Sequence, residues 1–94
     1  MKEYIVFVKL INGKKAAAGK MLTHRFISSY ESGEKWKLVY FEFKNSKRMA
    51  ELKEKKLRSL NKKVLMEVVK RSNPELLDLK YTINRNNIFE ELIY

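Results

Sequence analysis

Ten cations are spaced so that they can meet a run of negative charges. Lys14, Lys15 and Lys20 lie in or beside a short stretch bounded by Gly13 and Gly19, Lys47 and Arg48 open a segment with helical spacing, and Lys55, Lys56, Arg58, Lys62 and Lys63 follow closely. The chemistry that such side chains perform is binding. Each phosphate neutralised by a cation releases roughly 0.7 to 0.9 of a counterion, so association with a nucleic acid would be strongly salt-dependent. Arg48 and Arg58 can fork onto phosphate oxygens, whereas the lysines act as point charges. The stretch from Gly13 to Gly19 is either a plain connection or a place where backbone amides approach a polyanion closely. It is not a Walker loop, which needs Gly-Lys-Ser/Thr after four intervening residues.

Catalysis needs titratable groups brought together, and the inventory for that is thin: one histidine, no cysteine, and carboxylates mostly interleaved with lysines. His24 stands beside Thr23 and Arg25 in a segment expected to be a strand, with a half-exposed position as its plain role and a place at an RNA edge as the alternative. Glu90 and Glu91 are adjacent and so do not share one helical face. Disulfides and thiolate metal sites are excluded by the lack of cysteine. The expectation is a protein without catalytic activity, cofactor, metal or small-molecule substrate.

The charge balance points to an anionic partner. Twenty-one basic residues against 11 acidic ones give a formal net charge of +10. From Glu75 onward four acids face two bases, so the first 74 residues carry +12, and the basic surface is localised as a docking face would be. Ninety-four residues suit one domain, because two cores would each fall near the lower limit of independent folding. A hydrophobic content of 45% is enough to build that one core. No apolar run approaches the roughly 20 residues that cross a bilayer, and no signal-peptide pattern opens the chain, so a soluble intracellular protein with no membrane partner is expected.

The elements that would position these cations follow from hydrophobic period. Residues 4–11 are aromatic or β-branched except for Lys9 and Leu10, which predicts a strand buried on both faces. Residues 12–20 have turn residues at both ends and no period, which predicts a basic loop. Residues 21–30 and 35–43 flank Glu31, Ser32, Gly33 and Glu34 and read as a hairpin, with Trp36, Leu38 and Tyr40 on one face and Val39, Phe41 and Phe43 on the other. Core packing is the expected role of Tyr40, Phe41 and Phe43, with base stacking as the alternative. Asn45 and Ser46 can cap a helix whose apolar stripe is Met49, Leu52, Leu57 and Leu60, with Asn61 as a left-handed closing cap. Residues 63–70 suit either helix or strand, and a second hairpin with a return arm over 77–83 is preferred; a short helix is expected over 86–94. The predicted fold is therefore α+β: one domain over residues 1–94, an antiparallel or mixed sheet covered by one main basic helix, and a second hairpin after it.

Several short motifs in consistent order add a resemblance. Asn12, Gly13 and Lys14, then Ser46, Lys47 and Arg48, then Lys55 and Lys56, then Val68 and Val69, and lastly Leu79, Lys80 and Tyr81 are similar to the series found in the eukaryote-specific family of large-subunit ribosomal proteins numbered twenty-two. In that family a strand runs into a Ser-Lys-Arg helix start, a Lys-Lys pair follows within the helix, and a hydrophobic hairpin comes next. The likeness covers residues 12–84 and implies a shortened member. It implies a non-catalytic structural constituent of the large ribosomal subunit, held on ribosomal RNA mainly through helix lysines, beside neighbouring ribosomal proteins. It also implies assembly in the nucleolus and residence in cytoplasmic ribosomes. The alternative is a DNA-binding module of a mobile element, with a three-stranded sheet in the major groove and a helix behind it.

Overall fold

Seven of the eight residues from Tyr4 to Ile11 are apolar, and the run forms the strand on which everything else is laid, β1 (Tyr4–Ile11). In the computed structural model, which describes residues 3–28 and 35–81, β1 lies between β2 (Lys15–Leu22) and β3 (Trp36–Lys44) and is antiparallel to both. The sheet order β2-β1-β3 with helices on its faces is an α+β fold, as the hydrophobic pattern predicts. Ile5, Val6, Phe7, Val8 and Leu10 are all buried, so β1 is covered on both sides. Its one charged residue, Lys9, lays its ammonium 4.3 Å from the centre of the Trp36 ring.

Two expectations between β1 and β3 are corrected. Residues 15–20, expected in a basic loop, belong to β2. The turn is shorter: Asn12 and Gly13 take positive φ (53° and 70°), as mirror-image hairpin turns require, and the Lys14 N–H donates to the Ile11 carbonyl at 3.0 Å. Alanines at 16, 17 and 18 are weak strand formers, and pairing with the strongly apolar β1 overrides that preference. Gly19 lies opposite Phe7, whose ring crosses so close that a Cβ there would stand 2.8 Å from Cζ. The expected strand over 21–30 ends at Leu22, which pairs with Tyr4, the first residue of β1. One further bond, from the Thr23 N–H to the Glu3 carbonyl at 2.9 Å, closes the pairing, and the chain turns into α1 (Thr23–Ser28), where Phe26 comes to rest with its ring centre 4.8 Å from that of Phe7. His24 is therefore an exposed residue of a short helix and not of a strand.

The alternation expected in β3 is broken by a bulge. Val8 pairs with Tyr40 but Lys9 with Leu38, which leaves Val39 as the extra residue. Trp36, Leu38, Phe41 and Phe43 consequently share one face with Ile5, Phe7 and Phe26, while Val39 and Tyr40 both join the opposite face with Val6, Val8 and Leu10. Phe41 and Phe43 are half-buried in the first of these cores, with ring centres 5.6 Å apart.

The second core is closed by two helices, α2 (Lys47–Arg58) and α3 (Lys62–Ser72). Ser46 caps α2 as expected, its hydroxyl accepting the Met49 N–H at 3.2 Å. The apolar stripe is narrower than expected. Ala50 and Leu57, two turns apart, face the sheet, whereas Met49 and Leu52 are 51% and 55% exposed, because steps of three and five residues spread over a wide arc of the helix. Asn61 does not close α2. Its backbone is extended and its side chain accepts the Val64 N–H at 2.9 Å, so it is the N-cap of α3.

The second hairpin is thus absent: residues 63–70 are helical, including Val68 and Val69, which stand for a hairpin in the ribosomal resemblance. Leu65, Val68 and Val69 recur at three and four residues, and that period with an asparagine cap outweighs the β-branched composition. Of the return arm, Leu79–Tyr81 is a 3-10 turn. Leu77 and Asp78 of that arm take no regular structure, and the turn expected at 31–34, residues 82 and 83 of the return arm and the helix expected over 86–94 lie outside the described residues.

The segment after α3 seals the outer edge of β3. Buried Asn73 donates to the Val39 carbonyl at 3.1 Å and to the Leu77 carbonyl at 2.9 Å, and its own oxygen accepts the Leu77 N–H. Asp78 accepts the Leu38 N–H at 3.1 Å, and Lys80 donates to the Trp36 carbonyl at 2.7 Å. These bonds satisfy strand-edge groups that would otherwise recruit another chain. Asn73→Ala is expected to lower stability by about 2 kcal/mol, since it orphans a buried carbonyl at the bulge; a urea titration should show a lower midpoint with an unchanged slope.

Candidate nucleic-acid interface

Because α2 and α3 bury only narrow stripes, their cations are forced outward. Arg48, Lys55 and Lys56 lie on the exposed surface of α2, and Lys63, Lys70 and Arg71 on that of α3. Both helices begin with two cations, Lys47 with Arg48 and Lys62 with Lys63, and neither has an acid in its first turn. This opposes the usual arrangement, since the helix N-terminus already carries partial positive charge. Each such cation costs about 0.3 to 1 kcal/mol when exposed, a cost that a bound anion removes.

Four of the ten predicted residues converge. Lys14 from the β1–β2 turn, Lys15 from the start of β2, Arg58 from the end of α2 and Lys62 from the start of α3 line one groove of about 520 Å³, together with Ala16, Ala17, Ala18, Leu57, Leu60 and Leu65. No carboxylate lies in this wall. Two backbone acceptors fix the cations: Arg58 Nε donates to the Ala18 carbonyl at 3.2 Å, and Lys62 Nζ donates to the Lys14 carbonyl. Arg58 also meets Glu54 at 3.5 Å, so part of its charge is offset within the protein.

The other predicted residues divide. Lys20 is 3.8 Å from Glu54, and Lys47 is 3.9 Å from Glu51 across one helical turn. Lys14, Lys15, Arg48, Lys55, Lys56 and Lys63 make no ion pair among the described residues. Sequence reasoning missed Lys70 and Arg71, which become part of the same basic layer only when residues 62–72 are read as a helix. Among the described residues no group of three or more histidine, cysteine, aspartate or glutamate side chains is placed to hold a metal ion. No helix among them is long and apolar enough to cross a membrane.

No family model, curated protein or solved structure matches this chain. What the surface does chemically is therefore read from its own residues.

One polar cluster holds α2 in register over the sheet. Glu42 accepts from the Lys44 ammonium at 2.7 Å and from the Tyr40 hydroxyl at 3.0 Å, and Lys53 of α2 stands 3.5 Å away. Burial pushes the Glu42 carboxyl up, but the bonds from Lys44 and Tyr40 and the charges of Lys53 and Lys44 outweigh it and hold the group below its ordinary value. Burial and the same carboxylate push the Tyr40 phenol up to about 12. A carboxyl depressed by folding stabilises the native state above its unfolded pKa, and that contribution is lost as pH falls through the lower native value. Glu42→Gln should therefore lower stability at pH 7 and flatten the acid limb of the stability curve, where pH falls through and below the ordinary glutamate range, measured by urea unfolding from neutral pH downward.

Proposed function

We propose that the protein binds folded RNA through its basic helical layer, and that it serves as a structural constituent of the large ribosomal subunit. The observation that carries the RNA reading is the groove at which Lys14, Lys15, Arg58 and Lys62 meet without an acid in its wall. Lys55, Lys56, Lys63, Lys70 and Arg71 extend the positive surface outward from it. The two cation-headed helix starts add an electrostatic strain that phosphates relieve. Such a surface reads phosphate positions and double-helical shape with little base reading. Lys20 and Lys47, already paired, contribute less.

The ribosomal part rests on the motif resemblance and is the narrower claim. Asn12, Gly13 and Lys14 occupy a turn and Ser46, Lys47 and Arg48 a helix start, in keeping with that series, while Val68 and Val69 do not form its hairpin. Within a particle, ribosomal RNA would face the cations, and a neighbouring ribosomal protein would suit Met49 and Leu52, which stand exposed among Arg48, Lys55 and Lys56. Cytoplasmic residence with nucleolar assembly would follow from that role. The DNA-binding alternative needs a bare sheet face for the major groove, and the face opposite α2 and α3 carries buried Phe7, Phe26, Trp36 and Leu38.

Two measurements test this. In sucrose gradients at low salt the protein should co-sediment with large subunits; a protein that remains at the top refutes the ribosomal role. With a structured RNA, Lys15→Gln should weaken binding and reduce the slope of log affinity against log salt by about 1; an unchanged slope would remove Lys15 from the phosphate contacts.

A further inference from the structure

The groove is larger and greasier than phosphate binding requires. Its accessible apolar lining is half-buried Leu60 and the alanine run of β2, backed by buried Leu57 and Leu65. A phosphate gains nothing from leucine. Paired RNA offers phosphates and 2′-hydroxyls but keeps the flat faces of its bases stacked inside the helix. About 520 Å³ lies within the range that takes a small organic ligand.

An added peptide strand is the other shape that fits beside an edge strand. Here the Ala18 and Lys14 carbonyls already accept from Arg58 and Lys62, so part of the ladder that such a strand would need is occupied. What remains is a ligand with one flat apolar part and one anionic part, at a rim of four cations and no acid.

We infer that the groove receives a single unpaired nucleotide extruded from the bound RNA. Its base lies between Leu60 and the side chains of Ala16 and Ala18, since extruded bases commonly pack between apolar groups, and its phosphate lies at Lys14, Lys15 and Lys62. The small side chains at Ala16 and Ala18 are what keep the groove open. This inference rests on the RNA-binding reading and deepens it: the RNA recognised is a helix interrupted by a bulged or looped-out nucleotide.

The test compares two RNA hairpins of identical sequence except for one unpaired nucleotide in the stem, by fluorescence anisotropy with the full chain. The bulged hairpin should bind about tenfold more tightly. Ala16→Met, which narrows the groove, should bring the two affinities together, whereas Lys15→Gln should weaken both. In parallel, titration with adenosine and uridine monophosphates should shift the backbone amide resonances of residues 14–18 and 57–65. Equal affinity for both hairpins, with nucleotide shifts absent or elsewhere, overturns the inference and leaves RNA binding standing. If neither hairpin binds, the RNA reading itself fails, and the nucleotide titration alone then judges the groove: shifts confined to it uphold a nucleotide site, and their absence removes it.

Discussion

The structure depends on the need to cover β1 on both faces. Five of its residues are out of solvent, yet the sheet has only three strands, so each face requires its own layer. On one side Phe26 and Ile27 of α1 meet Ile5 and Phe7, and on the other Ala50, Leu57, Leu65 and Val69 of the two long helices meet Val6, Val8 and Leu10. Burying a leucine such as Leu57 contributes about 2 kcal/mol, which exceeds what any exposed ion pair on these helices supplies. The apolar contacts therefore set where the helices lie, and the cations take the positions left over.

That order of strength explains the basic surface. With two residues of α2 and two of α3 committed to the sheet, the remaining positions are free for charge, and the chain fills most of them with lysine and arginine. Three acids hold the fold: Glu42 gathers Tyr40, Lys44 and Lys53, Glu54 meets Lys20 and Arg58, and Asp78 meets Leu38 and Lys80. Among the described residues, Lys14 and Lys15 at the β1–β2 turn and Lys62 and Lys63 at the α2–α3 junction make no ion pair. The surplus behind a net charge of +10 on 94 residues lies on exposed positions, where solvent screens its self-repulsion.

Much of this was legible in the chain and some was not, for definite reasons. β1 and β3 were visible because long apolar runs have no other use in a small domain, and the α2 start was visible because Ser46 precedes a polar-rich helical run. β2 was hidden because Ala16, Ala17 and Ala18 carry no strand preference; only the Asn12-Gly13 turn signalled that the chain folds straight back. α1 was hidden because its Phe26 and Ile27 look equally well placed in a strand, and what decides is that β1 ends opposite Leu22. α3 is hidden because Val64, Val68 and Val69 suit a strand equally well, and because Asn61, which caps it, also suits the end of the preceding helix. Charge and spacing mark the ten candidate cations but not which of them meet, because the groove that unites four of them exists only once β2 and α3 are both in place.

The clearest single measurement is photo-crosslinking of the protein to a structured RNA carrying 4-thiouridine, with the attached residues mapped by mass spectrometry. Cross-links concentrated in residues 14–18 and 55–71 are the expected result. Cross-links concentrated instead on Phe41 and Phe43, or spread over the surface without preference, would contradict the assignment of the basic helical layer as the RNA-binding face.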